Sequence, residues 1–293
     1  MNTTEAIQSI YYAYRGKGAS KTPIFGSEKA NTCLAIMNRK KNEWANDSDQ
    51  TWVSNFNYVA PNEVGLVSTA GTTTLTGTNT YFTDYQVGDK ITVYGETVRT
   101  IDTITSDTVL TVSVAFTNTA SSLTHKRTII IQSGVQSYNL NRSFLTPSDK
   151  VLVTTTSSNT LKLGLATPQE RESDCYISSR NPKVLTFVND ITSTDQKVGG
   201  TLSVPAYYLP ADMVLATDLV PVDNPEWLVY IVASELARND PAKESMFATL
   251  VGMANDLYVK MVSANSNIGF LNGGTVYNNM PQISNDLNED WTI

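Results

Sequence analysis

The chain has 293 residues, enough for one large domain or two modest ones, with 41% hydrophobic and only 17% charged residues. Charged side chains usually make up about a quarter of a globular chain, so this surface relies on uncharged Thr, Ser and Asn. The formal charge of −7, from 21 basic and 28 acidic residues, comes with no basic stripe, which argues against a chain built to grip nucleic-acid phosphates.

Residues 1–62 read as two helices. In the first, Glu5 favours the positive end and Thr3 or Thr4 is placed to cap. Ile7, Ile10, Tyr11 and Tyr14 form an i, i+3, i+4, i+7 stripe, and Gly16 and Gly18 stop the helix. The second runs from Ser27 to about Asn46, with Ala30, Cys33, Leu34, Met37 and Trp44 on one side. Arg39, Lys40, Lys41 and Glu43 fall mostly on the other.

From 63 to 127 the period becomes two. Strands are expected over 65–68, 72–76, 90–94, 97–104 and 108–112, joined by Gly, Asn and Asp turns. Five short strands in so few residues point to a small SH3- or OB-like barrel or sandwich. Residues 128–210 form a second β-rich region, in which "RTIIIQS", "DKVLVTTT", "TLKLGLA", "KVLTFVND" and "GGTLSVPAYYL" read as strands. One capped helical turn interrupts them, with Thr167 as cap, Pro168 at the first position and Glu170 closing the box.

Residues 211–264 carry the strongest helical signal. Asp223 or Asn224 caps a helix with Pro225 at its first position, which presents Trp227, Leu228 and Ile231. Asp240 and Pro241 repeat the device, and Phe247, Leu250, Val251, Ala254, Leu257, Tyr258 and Met261 follow at helical spacing. The connection is so short that the pair must be antiparallel neighbours. Each large apolar side chain on these stripes gains roughly 1.5–3 kcal/mol if fully buried. The expected architecture is α+β: N- and C-terminal helices closing a bundle, with antiparallel β-modules inserted. After 265 the helical period is lost in an Asn- and Gly-rich stretch. Ile268, Phe270, Leu271, Tyr277, Met280, Ile283, Leu287, Trp291 and Ile293 are spaced along it, which reads as an extended arm that docks onto a partner.

Catalytic patterns are hard to find. The single histidine, His125, is expected at a surface or hinge, and no nucleophile elbow accompanies it. Cys33 and Cys175 make neither a disulfide framework nor a zinc site. Asp84, Asp89, Glu96, Asp102 and Asp107 mostly fall at turns, where acids cap and solvate, and their spacing does not match a calcium loop. "GKGASKT" lacks the strand and spacing of a phosphate loop. The expectation is a non-enzyme with no cofactor and no metal. No signal peptide or run of roughly 20 apolar residues is visible, so folding in a cytoplasm and no membrane partner are expected.

Several stretches together resemble one family. "YNLNRSFLTPSDKVLV", "TPQERES", "LSVPAYYLPADM" and "VPVDNPEWLVYIVASELARND" are similar to segments of bacteriophage head-to-tail adaptors, the connector or tail-tubular-A type. The stretch from "STAGTTTLTG" to "DTVLTV" resembles a β-module that recurs in phage virion proteins. The resemblance covers roughly residues 64–260 and lacks a counterpart for the module in smaller adaptors. It implies a neck protein, assembled in the host cytoplasm, in a ring of about twelve copies between portal and tail. Its partners would be the portal, further neck or tail proteins and other copies of itself, with DNA passing through without specific binding. The arm at 265–293 stands where family members reach the portal. Residues 211–293, with 3 basic and 11 acidic side chains, would suit a lumen that does not trap DNA. Two other readings compete: a tail-fibre or capsid-decoration protein binding glycan or capsid through its β-modules, and, more distantly, a carbohydrate-active enzyme.

Overall fold

The computed structural model describes residues 1–15, 23–47, 51–148, 150–166, 174–178 and 182–271. It is a mixed α+β fold. Four helices, α1 (Thr3–Arg15), α2 (Glu28–Ala45), α3 (Pro225–Arg238) and α4 (Glu244–Leu271), come from the two ends of the described chain. The region between them is β.

Local chemistry sets the helix ends. Asn2, not Thr3 or Thr4, caps α1: its Oδ1 accepts from Glu5 N at 2.9 Å, and Asn2 N donates back to Glu5 Oε2 at 2.9 Å. The threonines instead donate to the carbonyls of Asp218 and Ala216, tying α1 to the segment before α3. Ser27 caps α2, and Asn224 caps α3 ahead of Pro225. Asp240 accepts from Ala242 N at 3.1 Å and opens a 3-10 turn that leads into α4. The capped turn expected at Thr167, Pro168 and Glu170 lies outside the described residues, as do Gly16 and Gly18.

All four helices pack on one apolar core. Ile7, Ile10, Tyr11, Met37, Trp227, Leu228 and Leu250 are buried in it, and Tyr14, Leu34, Ile231, Phe247, Leu257 and Tyr258 cover its flanks. Val251 is half-buried and stands outside this cluster. Two features depart from the sequence reading. Lys41 does not lie on a solvated face: its side chain is fully buried, and Nζ donates to Pro210 O at 2.7 Å and Asp212 Oδ1 at 2.6 Å. And α4 does not stop near 264, since its helical bonds continue to Leu271.

The strands are β1 (Phe56–Asn57), β2 (Leu66–Ala70), β3 (Thr74–Thr78), β4 (Lys90–Val93), β5 (Arg99–Ser106) and β6 (Val109–Val112). Next come β7 (Thr119–Leu123), β8 (His125–Ile130), β9 (Ser137–Asn139), β10 (Phe144–Pro147), β11 (Val151–Thr154) and β12 (Thr160–Leu163). Finally there are β13 (Leu165–Ala166), β14 (Cys175–Ile177), β15 (Val184–Phe187), β16 (Thr201–Ser203) and β17 (Ala206–Tyr208). They form a ten-stranded sheet ordered β12-β11-β16-β8-β4-β5-β6-β3-β2-β7, a four-stranded sheet β13-β14-β15-β9 and a three-stranded sheet β1-β17-β10. Every described pair is antiparallel except β13–β14.

The two expected β regions are therefore not separate sheets. Strand β8 pairs with β4 on one side and with β16 on the other, so one ladder runs through both. The ladder does not close into a barrel. Thr124 alone separates β7 from β8, however, and β7 pairs with β2 while β8 pairs with β4. The chain itself thus brings two distant flanks of the sheet together. Val67, Leu75, Phe82, Ile91, Ile101 and Leu110 fill the space between them. Gly65 sits at the entrance to this module with φ +87°, and a Cβ there would meet Asn79 O at 2.5 Å.

Candidate functional site

The densest polar cluster lies at the root of this module. Strand β8 alternates its side chains, so His125 and Arg127 both face inward. The turn before β4 supplies Asp84, Tyr85 and Asp89, and the segment entering β2 supplies Glu63. Arg127 donates to Asp84 O at 2.8 Å and to Asn139 O at 2.6 Å. Its Nε lies 3.4 Å from Glu63 Oε1, an ion pair without hydrogen-bond geometry, and its Nη1 lies 3.9 Å from Asp89 Oδ2. The guanidinium also stacks 4.6 Å from the Tyr85 ring centroid. Beside it Arg142 pairs with Asp84 at 2.6 Å and lies 3.5 Å from the Tyr81 ring centroid.

Each of these groups has a structural task. Asp89 Oδ1 accepts from Ile130 N at 3.0 Å, and Oδ2 accepts from Gln86 N at 3.1 Å. Burial pushes the Glu63 and Asp89 carboxyls above the usual carboxylate range, and the Arg127 charge opposes that shift. The cleft beside Glu63, Tyr85 and Arg127 has a volume of about 10 Å³, room for about one water and not for a sugar ring. The cluster rivets the module to the second β region through Asn139 and Arg142.

His125 is a correction to the sequence reading, being 1% exposed rather than at the surface. It sits where β7 bends into β8, its Nε2 2.9 Å from Tyr85 Oη, with the Phe82 ring edge-on. Burial, aided by the Arg127 charge, lowers its pKa from 6.5 to about 4. Between those values the unfolded chain binds the extra proton and the folded chain does not. Stability therefore rises with pH across that window and is lost as pH falls from 6.5 towards 4. The shift corresponds to about 3 kcal/mol for this residue. The raised carboxyls of Glu63 and Asp89 act in the opposite direction. Urea unfolding of the parent and of His125→Gln should isolate the histidine, because the variant should lose stability less steeply on acidification.

The acids expected at solvated turns divide. Asp89 is buried, and Asp84 is partly buried against Arg142. Asp107 ties the module's far turns by accepting from Thr83, and its carbonyl accepts from Thr80 Oγ1. The Glu96 carboxylate accepts from the backbone N–H of Thr117 and Asn118, which hold it below its ordinary pKa. These contacts draw the 94–98 and 113–118 turns into one surface, on which Tyr94 (75%), Val98 (53%) and Val114 (59%) are exposed. Both cysteines are buried and their thiol pKa values are pushed up to about 12, so neither is a ready nucleophile. Among the described residues no group of three or more His, Cys, Asp and Glu side chains is placed to hold a metal, and no helix is long and apolar enough to cross a membrane.

Of the arm residues, Ile268, Phe270 and Leu271 belong to the last turns of α4 rather than to an extended segment. Tyr277, Met280, Ile283, Leu287, Trp291 and Ile293 lie outside the described residues. Sequence reading missed Trp52, which is 1% exposed and wedged between Trp44, at 5.0 Å, and Tyr258, at 5.9 Å. It also missed the Arg127 cluster. The one available signal was a His and an Arg two positions apart, where strand alternation points both inward.

No protein-family model matches the chain, and no curated protein sequence matches it.

Proposed function

We propose that the chain is a structural head-to-tail adaptor of a phage virion, whose copies form a ring that joins portal to tail and leaves a passage for DNA. The observation that supports it most is how the polar groups are used. The densest cluster of charges in the β region is consumed in fastening the module to the body, while the turns at 94–98 and 113–118 offer an apolar surface. An element that spaces or docks needs that arrangement. In this reading the helices form a four-helix bundle in the ring wall, and β2–β8 form a small barrel, closed by the bend at Thr124 rather than by a ladder. The net −8 of residues 211–293 (3 basic, 11 acidic) suits a wall that passing DNA does not adhere to.

Mass measurement and negative-stain imaging of the isolated protein, with and without a portal, test the reading. A closed ring of roughly twelve copies, alone or on the portal, is the expected result; a monomer that never assembles on portal overturns it. Trimers that bind glycan would instead favour a fibre or decoration component. Removing residues 272–293 should leave the fold unaltered by circular dichroism and abolish portal binding. The cut belongs after Leu271, because Asn265 accepts from Val53 N at 3.0 Å and donates to Thr51 O at 2.9 Å. Undiminished portal binding by that truncated chain would remove the arm from the proposal.

A further inference from the structure

Two exposed patches of opposite charge stand on different parts of the chain. The first is on the outer face of the ten-stranded sheet. Lys90, Thr92 and Tyr94 alternate outward along β4 and just beyond it, and Lys126 and Thr128 do so along β8. The register sets Lys90 opposite Thr128 and Thr92 opposite Lys126, so the two lysines are diagonal neighbours on one face. Tyr94 N donates to Thr124 O at 3.0 Å, which extends the ladder and makes Tyr94, 75% exposed, the next diagonal neighbour of Lys126. Same-sign charges so close do not help a sheet to fold. Neither lysine makes an ion pair with another described residue. The outward face continues across β16 and β11 to β12, where Lys162 is exposed. Asp102 is the only carboxylate within β4, β5 and β8.

The second patch lies where α1 and α3 both begin. Asn2 bridges to Leu219 at this end, and Tyr14 Oη donates to Asp240 at the other, so the two helices run parallel. Val214, Leu215 and Leu219 are 62%, 61% and 74% exposed, yet their loop is firmly held. Thr3 N donates to Asp218 O at 2.8 Å, Thr4 N to Ala216 O at 3.2 Å and Val220 N to Met1 O at 3.1 Å. Asp218 Oδ2 accepts from Val214 N and Leu215 N, each at 2.7 Å. Large apolar side chains fixed outward on a pinned backbone suit an interaction site, because little freedom is left to lose on binding. Residues 1–5 and 211–226, which meet here, include Glu5, Asp212, Asp218, Asp223 and Glu226 but no Lys or Arg. Lys41 neutralises Asp212. The one other cation in reach of these segments is the α-amino group of Met1, so the end is acidic.

We propose that copies of the chain join through these two patches: the acidic end of one, with Leu215 and Leu219 at its centre, seats on the Tyr94–Lys90–Lys126 face of the next. Charge selects a second copy as the occupant, because the chain carries both halves of a complementary pair. Apolar or aromatic groups supply the centre of the contact on each side. The two patches are different surfaces, so the contact is heterologous and propagates into a ring or an open chain. The inference deepens the adaptor reading, on which it rests for the expectation that the chain of contacts closes into a ring.

The test follows the mass of the full chain by sedimentation velocity as its concentration is raised. Lys90→Glu with Lys126→Glu reverses one patch, and Asp223→Lys with Glu226→Lys reverses the other; all four side chains are exposed. Each variant should need a concentration about a hundred-fold higher or more to assemble, as like charges across an interface dictate. A chain with all four changes should assemble as the parent does, its complementarity restored with the sign inverted. An equimolar mixture of the two variants should stop at pairs, since each keeps one usable patch. Should a reversed variant fail to fold by circular dichroism, Leu219→Ser decides in its place. It should raise the assembly concentration about ten-fold, the loss of one buried apolar side chain, and unchanged assembly would count against the contact. Assembly of a folded reversed variant at the parent's concentration would overturn the inference and leave the ring reading standing. Open chains disrupted by the same variants would overturn the ring reading and leave the contact standing. A parent that stays monomeric with and without portal would overturn both.

Discussion

Replacing Arg127 by methionine should destabilise the protein by about 3–5 kcal/mol near neutral pH, the cost of leaving buried charges without their partner. Arg127 is 9% exposed, and the side chains of Glu63 and Asp89 are 7% and 1% exposed. Removing the guanidinium strips both carboxylates of their counter-charge and leaves the carbonyls of Asp84 and Asn139 short of a donor. It also frees the joint between the module and the second β region. The loss should depend on pH in a defined sense. Burial already raises the Glu63 and Asp89 pKa values, and Arg127 is what holds them down. Without it the folded state binds protons more readily than the unfolded state, so the variant should regain stability as pH falls through the raised values. Urea unfolding of the parent and variant across that range gives both numbers. Combining Arg127→Met with Glu63→Gln should recover part of the loss, since one uncompensated charge is gone. A double variant as unstable as the sum of its single changes would show that Glu63 and Arg127 are not coupled.

Trp52→Ala should cost about 3–5 kcal/mol, as large aromatic truncations in cores do. Trp52 Nε1 donates to Trp44 O at 2.8 Å, and its ring packs between Trp44 and Tyr258. It thereby joins the end of α2 to the far half of α4 and seats the segment that leads into β1. Thermal unfolding with tryptophan fluorescence should register the loss, and Trp52→Phe should recover most of it by keeping the ring volume. A change below about 1 kcal/mol, the size of an ordinary surface effect, would contradict this packing.

The helices were legible in the sequence. The Ser27 cap, Pro225 and Pro241 at first-turn positions, and the stripes Ile7–Ile10–Tyr11 and Leu250–Ala254–Met261 depend on spacings within one or two turns. So do the strands around Lys90, Val109 and Val151, each found within two or three residues of the alternation that announces it. The C-terminal end of α4 was not legible, because an Asn- and Gly-rich run has low helix propensity. There the fastening of Asn265 to Thr51 and Val53, more than 200 residues away in sequence, outweighs that preference.

Of the candidate site almost nothing could be read. Lys41, Arg127, Asp89 and His125 carry charge or titrate, and without a known partner such residues belong in water. Their burial is tolerable only because Lys41 meets Asp212, Arg127 meets Glu63 and Asp89, and His125 meets Tyr85. By itself, then, the sequence determined which segments are helix and which are strand, since caps, turns and apolar periods act over a few residues. Only the tertiary structure decided that β8 joins two β regions into one sheet and that Lys41, Asp89, His125 and Arg127 are buried. Those outcomes depend on pairing energies between residues tens to hundreds of positions apart, and such energies leave no local pattern.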